Sequence, residues 1–591
     1  IKQAVDGIIT AWQQLRIWTS WQRARHEAES LGLTPIIARL ETSAESPADL
    51  PALFERSFRR AFLFTVIEEE KILREFFGHE HEERIDQFRK LDDKIASLAR
   101  DVIKARLAAK IPRDQAENDL PKTELGLLRK EIGKKARHIP VRQLLSRIPQ
   151  LLPRLKPCVL MSPLSVAQYL EPSHKCFDVV IFDEASQIPV WDSVGAIARG
   201  TQLIVVGDPK QLPPTNFFNR TEDGDEEAEV EFEDLESILD ELLTHGLRHK
   251  RLQWHYRSRH EGLIAFSNRR YYENNLLTFP SPETGLGGVR LVHLPDARYD
   301  KGKSRTNSTE ARALVDELVR RLREKTVRSY GVVTFSQAQQ QLIENMLDEE
   351  RRRNPDIEIH FGDTPPIEGE PVFVKNLESV QGDERDIILF SVGYGQDDSG
   401  RISMNFGPLN REGGERRLNV AITRAKHEVV VFSGLRGEQI DLTRSRARGV
   451  RDLKHFLEYA ERGPKALVAP ETPSTAPASD SGFAQTVAEA LRTHGYEVHH
   501  QVGCSGYRLD LAIVDPDTPG KYLVGIECDG ENYQRAATAR DRDKLRHMIL
   551  EGLGWKIHRV WSADWWHDRT QQTNKLIERI EALKRKRSSR R

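Results

Sequence analysis

The sequence is poor in cysteine, has no long apolar run and carries almost no net charge, and each absence narrows what the chain can be. Its four cysteines lie far apart and form no CxxC pair, which argues against a disulfide framework, a structural zinc and an iron–sulfur cluster. We expect them to be buried, reduced thiols. No apolar stretch is long enough to cross a bilayer, so we expect no membrane partner.

Charge and the first residue add two further constraints. The 89 Lys and Arg residues nearly balance the 90 Asp and Glu residues, so contact with nucleic acid would need local basic surface and not an overall positive field. The sequence opens with Ile1 and shows no secretory signal. We therefore expect a cytoplasmic protein whose sequence begins here in mid-chain.

The 591 residues are too many for one core, and the pattern changes along them. Between Glu55 and Lys110, apolar residues recur at helical spacing with almost no Gly or Pro, which predicts long paired helices. From Cys158 onward, short apolar or β-branched runs alternate with helical patterns, which predicts parallel α/β sheets. The predicted strands are CVLM, DVVIFDE, LIVVGD, YGVVTF, VFVKN, DIILFSV and EVVVFSG.

A second α/β unit is predicted near the C-terminus. Residues 462–482 are rich in Pro, Ala, Ser and Thr, which is typical of a linker. After them the pattern predicts a helix from Phe483 to Thr493, three strands (YEVHHQV, YRLDLAIV and KYLVGIEC), a helix from Arg540 to Leu553 and a strand, WKIHRVW. The acidic stretch from Thr221 to Glu236 predicts a surface or disordered loop, and the final KRKRSSRR is either a frayed end or a nucleic-acid contact.

Two predicted strands end in groups suited to phosphate chemistry. DVVIFDEAS places Asp183 and Glu184 just past a buried strand, where an Asp can hold Mg²⁺ and the next Glu can polarise an attacking water. LIVVGDPKQLPPT follows, with Gly207 freeing the backbone and Asp208 and Gln211 placed to sense a phosphate.

These strings resemble motifs II and III of the superfamily 1 helicases, and the resemblance continues in order over about 155–435. LQWHYRSRHEGLIAFSN is similar to motif IV, which implies that Tyr256 stacks on adenine and Arg257 reaches the γ-phosphate. ESVQGDERDIILFSVG resembles motif V, which implies nucleotide contacts from Gln381, Gly382 and Glu384. RRLNVAITRAK resembles motif VI, which implies that Arg424 is the arginine finger. Singly, each of these residues could equally serve packing, a turn or a surface ion pair.

The resemblance has one gap. No GxxxxGK[ST] phosphate loop precedes Asp183, and Gly133-Lys134-Lys135 lacks the spacing, the Ser or Thr and the preceding strand. We expect that the loop belongs to sequence before Ile1, that residues 1–150 are an insertion in the first lobe, and that this fragment alone is deficient in ATP hydrolysis.

The resemblance also implies a nucleic-acid track over both lobes. MSPLSVAQYL and TFSQAQQ lie near that track in the family, so Ser162, Ser165, Thr334 and Gln337 are candidate backbone contacts. Capping of helix N-termini is an equal alternative for each of them.

The last domain carries carboxylates at strand ends. Asp510 lies in the second predicted strand, and Glu527 and Asp529 end the third, so the three could share Mg²⁺ for phosphodiester cleavage. The order of elements is that of the PD-(D/E)xK nucleases, and YRLDLAIV with VGIECDGENY resembles the very-short-patch-repair-like endonuclease domains found on large helicases.

This domain departs from the family pattern in three places. Asp529 replaces the usual Lys of ExK, Ala484 stands where the branch often has Glu, and Gln534 stands where it often has His. Nearby positive charge could come from Arg540, Arg542 or Lys544, although a solvated helix face is the alternative. The domain is therefore either a metal-dependent nuclease or a remnant that binds nucleic acid.

Together these patterns predict an α/β protein with two RecA-like parallel-sheet lobes, an N-terminal long-helix insertion and a C-terminal restriction-endonuclease-like domain. The predicted function is an ATP- and Mg²⁺-dependent helicase or translocase on DNA or RNA with a tethered endonuclease, in DNA defence or repair. The alternatives are a remodeller whose nuclease-like domain only binds, and a non-enzymatic scaffold. The predicted domains are 1–150 (helical insertion), 151–250 (lobe 1), 251–455 (lobe 2), 456–482 (linker), 483–575 (nuclease) and 576–591 (basic tail).

Overall fold

The computed structural model describes most of the chain and divides it into two compact units, Ile1–Ile85 and Asp86–Arg591. The described residues are 2–42, 50–112, 123–172, 177–214, 236–283, 288–324, 327–362, 364–367, 369–467, 482–504, 506–530, 533 and 536–588. The predicted acidic loop as far as residue 235 and most of the predicted linker lie outside them, as do Cys176 and Gln534. No described helix is long and apolar enough to cross a membrane.

The first unit consists of long helices. Its helices are α1 (Lys2–Ser30), α2 (Thr34–Thr42), α3 (Leu50–Glu69), α4 (Lys71–Arg74) and the start of α5 (Gly78–Ala109). Along α3, Phe54, Phe58 and Phe62 are four residues apart, so their rings stack on one exposed face with centroids 6.2 and 6.4 Å apart.

The second unit begins within α5 and continues into a small parallel sheet. The elements are α6 (Glu124–Ile132), α7 (Val141–Arg147), α8 (Leu151–Leu155), α9 (Pro163–Tyr169), β1 (Phe177–Phe182), α10 (Val190–Ile197), β2 (Gly200–Val205) and α11 (Ile238–Thr244). Strands β1 and β2 pair in parallel. The prediction of a strand at CVLM is wrong: these residues pair with no described strand, and Leu160 is 95% exposed. We call β1, β2, α10 and α11 lobe 1.

Lobe 2 contains an all-parallel sheet of five strands in the order β3-β7-β6-β4-β5. Its elements are α12 (Gly262–Tyr271), β3 (Val289–His293), α13 (Ser308–Leu322), β4 (Tyr330–Thr334), α14 (Gln337–Arg353), β5 (Phe373–Asn376), β6 (Arg385–Ser391), α15 (Gly414–Ile422), β7 (Ala425–Ser433) and α16 (Arg448–Arg462). The central strands are buried on both faces, which is why their sequences are continuous apolar runs. Strand β3 was not predicted. The predicted linker 456–482 is also wrong at its start, since residues 456–462 belong to α16.

The C-terminal domain has the predicted order of elements. It consists of α17 (Gly482–Thr493), β8 (Val498–Val502), β9 (Leu509–Val514), β10 (Tyr522–Cys528), a π turn (Asp541–Leu545), α18 (Arg546–Leu553), β11 (Ile557–Val560), α19 (Ser562–His567) and α20 (Arg569–Ser588). Strands β8, β9 and β10 are antiparallel, and β11 pairs in parallel with β10. The predicted tail 576–591 is instead helical as far as Ser588, because Leu576 and Ile580 are buried in the domain core.

This domain packs directly on lobe 2. Phe279 of lobe 2 is buried with Leu550 and Trp555, and the indole of Trp555 donates a hydrogen bond to the Pro280 carbonyl at 2.7 Å. Lys521 forms a 2.8 Å ion pair with Glu283 at the edge of the contact. The domain is therefore docked, which corrects the picture of a domain held only by a linker.

The cysteines correct another expectation. Cys528 is buried, but Cys158 and Cys504 are exposed, and all three are free thiols.

Candidate functional site

The carboxyl ends of β1 and β2 bring the first candidate residues together. Ala185 N–H donates to the Val206 carbonyl at 2.9 Å, so the DEAS turn lies against the turn that begins at Gly207. A side chain at Gly207 would come within 3.1 Å of the Ala185 and Ser186 nitrogens, which explains the glycine. Glu184 has left-handed backbone (φ 51°), a conformation that is rare for residues with a side chain and concentrated at functional sites.

Asp208 is the centre of a hydrogen-bond network at this edge. One carboxylate oxygen accepts from the Lys210 N–H at 2.9 Å, and the other accepts from the Gln211 amide at 3.3 Å and from the Tyr272 hydroxyl at 2.7 Å. Tyr272 belongs to lobe 2. Burial raises the pKa of Tyr272, and the neighbouring Asp208 charge raises it further, so the phenol stays protonated and donates.

Two further side chains join the lobes. The Asn419 amide donates to the Tyr272 hydroxyl at 3.0 Å and to the Lys210 carbonyl at 2.9 Å, and the Gln381 amide donates to Gln211 Oε1 at 3.4 Å. Gln381 was among the predicted residues, whereas Tyr272 and Asn419 were not. Asn419 could have been noticed, because it is an amide inside the apolar run LNVAI of the motif VI string.

Arginines from lobe 2 face the same cleft. Arg257 Nε lies 2.9 Å from Glu384 Oε2, and Lys426 Nζ lies 3.3 Å from Glu384 Oε1. Arg424 is buried and its Nε donates to the Val420 carbonyl at 2.8 Å. Burial lowers the pKa of Arg424 and the charge of Arg257 lowers it further, while Glu184 of lobe 1 acts in the opposite direction. Groups from both lobes therefore act on one another electrostatically.

The other predicted nucleotide residues occupy exposed or turn positions. Tyr256 is 74% exposed, Gly382 has positive φ (+87°) in the turn before β6, and Asp183 Oδ1 accepts the Glu184 N–H at 3.0 Å. The structure thus gathers Glu184, Asp208, Gln211, Arg257, Gln381, Glu384 and Arg424 between the lobes. For Mg²⁺, Asp183 supplies a carboxylate at the end of a parallel strand, which suits the cation's preference for oxygen ligands.

The four candidate nucleic-acid residues have local roles. Ser162 accepts the Ser165 N–H at 3.2 Å and caps α9, which is the alternative that the sequence left open. Thr334 is fully buried and donates to the Ser336 carbonyl at 2.9 Å. Gln337 is the first residue of α14, which Ser336 caps. None of these contacts requires nucleic acid.

In the C-terminal domain, Asp510 and Glu527 lie on adjacent strands. Leu511 pairs with Ile526, so Asp510 and Glu527 come next along β9 and β10. Asp510 Oδ2 accepts the Cys528 N–H at 2.8 Å, and Glu527 Oε1 accepts from the Tyr507 hydroxyl at 2.9 Å.

Asp529 is directed elsewhere. Its two carboxylate oxygens accept hydrogen bonds from the backbone N–H and the hydroxyl of Ser562, both at 2.8 Å. Ser562 begins α19, so Asp529 stabilises a helix N-terminus. Burial raises the pKa of Asp529, and the bonds from Ser562 oppose that effect. Within the described part of the chain, no three His, Cys, Asp or Glu side chains gather closely enough to hold a metal ion. A cation here would be held by Asp510 and Glu527, and two carboxylates suffice for Mg²⁺ when a phosphate completes the shell.

The positively charged side chain that pairs with Glu527 is an arginine of β11. Arg559 is opposite Glu527 in the β10–β11 register and lies 3.1 Å from its Oε2, and it also lies 3.4 Å from Asp543. Its guanidinium packs near the rings of Tyr533 and Trp561. Arg559 was not predicted, although a basic residue inside the apolar strand WKIHRVW was a visible signal.

Of the helix residues considered as alternative cations, Lys544 and Arg542 are largely covered, whereas the Arg540 side chain is 55% exposed. Lys544 has a side chain only 7% exposed and contacts Asp92 and Asp93 of α5, and Arg542 forms a 2.9 Å ion pair with Asp543 while packing over Tyr533. Arg540 contacts Asp92 at 3.2 Å. Ala484 is buried in the domain core.

Comparison with protein families agrees with this architecture. Residues 67–218 match the AAA domain family AAA_11, residues 235–435 match the AAA domain family AAA_12, and residues 483–580 match the family REase_MTES_1575. The chain carries AAA domains of the superfamily 1 helicase type and a C-terminal restriction-endonuclease-like domain. The predicted α/β fold and the predicted fusion are thereby confirmed.

Individual relatives resemble the helicase portion. The chain is 37% identical over 324 residues to an uncharacterized ATP-dependent helicase of Mycoplasma pneumoniae and 36% identical to its Mycoplasma genitalium counterpart, in each case over 53% of this chain and 28% of the relative. It is 28% identical to the probable helicase senataxin of Mus musculus over 44% of this chain and 10% of that protein. The chain thus spans less than a third of the length of each of these three relatives.

Proposed function

We propose that the whole protein is an ATP-driven translocase or helicase on nucleic acid, with the nucleotide bound between lobes 1 and 2. The observation that carries this proposal is the network in which Asp208 of lobe 1 accepts from Tyr272 of lobe 2 while Asn419 joins Tyr272 to Lys210. A ligand that changes the distance between the lobes must change this network. Stepwise closure and release would then move the lobes along a strand.

The proposal assigns roles to the predicted nucleotide residues. Asp183 would hold Mg²⁺, which would neutralise charge on the phosphates, and Glu184 would orient the attacking water. Arg257 and Arg424 would stabilise negative charge on the transferred phosphoryl group, since a guanidinium suits that geometry. Tyr256 would stack on the base, Gln211 and Gln381 would sense the phosphate across the lobes, and Glu384 would release Arg257 when nucleotide enters.

The C-terminal domain is proposed to cut the nucleic acid that the motor delivers. Asp510 and Glu527 would hold Mg²⁺, which would activate water for phosphodiester cleavage. Arg559 would supply the positive charge that ExK nucleases take from lysine, and Asp529 would stabilise the domain only. DNA is the proposed substrate, with RNA as the alternative, and defence or repair of DNA in the cytoplasm is the proposed setting. The predicted domain limits stay proposals, with lobe 2 extended to residue 462 and the nuclease-like domain extended to residue 588.

The motor proposal is tested by nucleic-acid-stimulated ATP hydrolysis of the full-length natural protein. Arg424→Ala and Asp183→Asn should each lower kcat at least ~100-fold, because the charge on the transferred group loses its partner. Arg401→Ala, an exposed arginine in lobe 2, is the matched control. Unchanged hydrolysis in Arg424→Ala would refute this role.

The nuclease proposal is tested by cleavage of labelled DNA and RNA oligonucleotides with Mg²⁺. Asp510→Asn should abolish cleavage, while Asp517→Asn, in an exposed turn of the same domain, should not. If the wild-type protein binds the oligonucleotides but leaves them intact, the alternative of a domain that only binds is correct.

A further inference from the structure

Helix α5 contacts the C-terminal domain through alternating charges. Arg89 Nε donates to the Asp543 carbonyl at 2.7 Å, Lys544 Nζ contacts Asp92 at 2.6 Å and Asp93 at 2.5 Å, and Arg540 contacts Asp92 at 3.2 Å. These residues lie four or fewer positions apart on α5 and on the helical segment Arg540–Lys544. We call this set of contacts the α5 contact.

At its centre, the α5 contact differs from an ordinary surface ion pair. A surface lysine is usually solvated and its ion pairs contribute little, yet the Lys544 side chain is 7% exposed and that of Asp92 is 16% exposed. Arg540 and Asp93 surround this pair and are 55% and 73% exposed. The hydrogen bond from Lys544 lowers the pKa of Asp92, and the charge of Arg540 lowers it further. Two cations of the C-terminal domain are thus already occupied by carboxylates of α5.

The α5 contact lies beside the candidate cleavage centre. Asp543, whose carbonyl accepts from Arg89, contacts Arg559, and Arg559 is the partner of Glu527. The charges of Arg89 and Glu527 both influence the pKa of His547, one turn further along the helix. A strand of nucleic acid that approached Glu527 from this side would meet α5.

Lys544 and Arg540 carry the kind of charge that binds a nucleic-acid phosphate. Lysine and arginine are the side chains that contact nucleic-acid backbones, and carboxylate oxygens satisfy the same donors that phosphate oxygens do. The pair Asp92 and Asp93 therefore occupies cationic groups that a backbone phosphate would use.

We propose that α5 is an acidic cover for the C-terminal domain, and that a nucleic-acid backbone displaces Asp92 and Asp93 from Lys544 and Arg540 when it reaches the cleavage centre. This inference rests on the proposed function, because it takes nucleic acid as the substrate of that domain. Substrate binding by the domain is then held back until α5 moves. Because α5 lies within the region that matches the AAA_11 family, the cover belongs to the motor part of the chain.

The test uses fluorescence anisotropy to measure how tightly the full chain binds a labelled single-stranded DNA oligonucleotide. EDTA is present, so that cleavage plays no part. Asp92→Asn should raise the affinity about tenfold and make its salt dependence steeper, since one more phosphate is engaged. Asp101→Asn, which removes one acid from an exposed position on the same helix, is the matched control and should change the affinity less than twofold.

A second variant separates the α5 contact from a general change in charge. In a Lys544→Gln, Arg540→Gln background, Asp92→Asn should no longer raise the affinity, because the released cations are gone. Equal effects of Asp92→Asn and Asp101→Asn, or a gain that persists without Lys544 and Arg540, would overturn the proposal. Binding is measured without Mg²⁺, so this test does not depend on cleavage. A protein that never cleaves would contradict the nuclease proposal and could still support the cover. Loss of cleavage in Asp510→Asn supports the nuclease proposal and does not bear on the cover.

Discussion

Single polar side chains form contacts between the two lobes. Asp208 and Tyr272 are half-buried and Asn419 is buried, and the three form a chain of hydrogen bonds, so losing one of these bonds costs about 1 kcal/mol. The sequence indicated Asp208 through its GDxxQLPP string. It could not indicate Tyr272, because only the fold brings that tyrosine to the strand end of the other lobe.

Replacement of Tyr272 tests this chain of hydrogen bonds. Tyr272→Phe removes the hydroxyl that Asp208 accepts from and that Asn419 donates to, while keeping the ring. We expect ATP hydrolysis by the full-length protein to fall about tenfold and the unfolding temperature to fall by only a few degrees, measured by steady-state kinetics and calorimetry. Full activity in the variant would mean that the lobes communicate by another route.

Glu310 provides a second prediction for a single residue. It is fully buried and accepts hydrogen bonds from the Ser391 hydroxyl at 2.7 Å and the Gly393 N–H at 2.6 Å. Burial raises its pKa from 4.5 to about 7. The folded state therefore holds a proton that the unfolded chain releases near pH 4.5, and stability is lost as the pH rises from about 4.5 to about 7, by about 3 kcal/mol.

Thermal unfolding of wild type and Glu310→Gln between pH 5 and 8 measures this loss. The wild type should become less stable as the pH rises through this range. The difference in free energy of unfolding between the two proteins should change by about 3 kcal/mol. Parallel curves for the two proteins would show that Glu310 does not titrate in this window.

The sequence correctly predicted those secondary-structure elements whose own residues are enough to determine them. The strands β4, β6 and β7 are buried on both faces and read as continuous Val, Ile, Leu and Phe runs, so they were predicted. Strand β3 (VRLVH) was missed because it carries Arg and His at the sheet edge, where packing is one-sided. CVLM was predicted wrongly because strand formation also needs a neighbour to pair with, which a sequence does not show.

The nuclease-like site shows the same limit at the level of elements. Asp510 and Glu527 were found from their positions in predicted strands. Asp529 lies one residue beyond β10, so its direction depends on where α19 begins, and its carboxylate binds Ser562. Arg559 becomes a partner of Glu527 only through the parallel pairing of β11 with β10.

Asp529→Ala should therefore act on stability and not on chemistry. We expect the C-terminal domain to lose about 1 kcal/mol, the typical value of a helix N-terminal cap, while cleavage per folded molecule stays within a few-fold of wild type. Asp510→Asn should show the opposite result, with normal stability and no cleavage. Loss of cleavage in fully folded Asp529→Ala would return Asp529 to the metal site.

Within the unit Asp86–Arg591, the helicase and the nuclease-like domain are packed together and not merely joined. Phe279 lies between them, with Tyr507 at a ring distance of 5.0 Å, and the Tyr507 hydroxyl donates to Glu527. The segment that carries Tyr256 and Arg257 also supplies Trp254, which contacts Phe279. This packing could not be predicted from the sequence, which shows only a linker between two domains.

Phe279→Ala should loosen this packing. The cavity would destabilise the contact by about 3 kcal/mol or more, so amide hydrogen exchange should accelerate in peptides covering 546–560. Phe361→Ala is the control, because Phe361 is half-buried against the core of lobe 2 and is not part of this cluster. Unchanged exchange in Phe279→Ala would indicate that the domain is held mainly by other contacts.

The central claim is that groups from both lobes converge on one nucleotide, and a crystal structure of the full-length protein with Mg²⁺, ADP and aluminium fluoride tests it most directly. The account predicts that the guanidinium groups of Arg257 and Arg424 contact the fluoride group, that Glu384 no longer pairs with Arg257, and that Asp183 binds the Mg²⁺. The account would be contradicted if the nucleotide is bound while Arg257 still pairs with Glu384 and Arg424 does not contact the fluoride group.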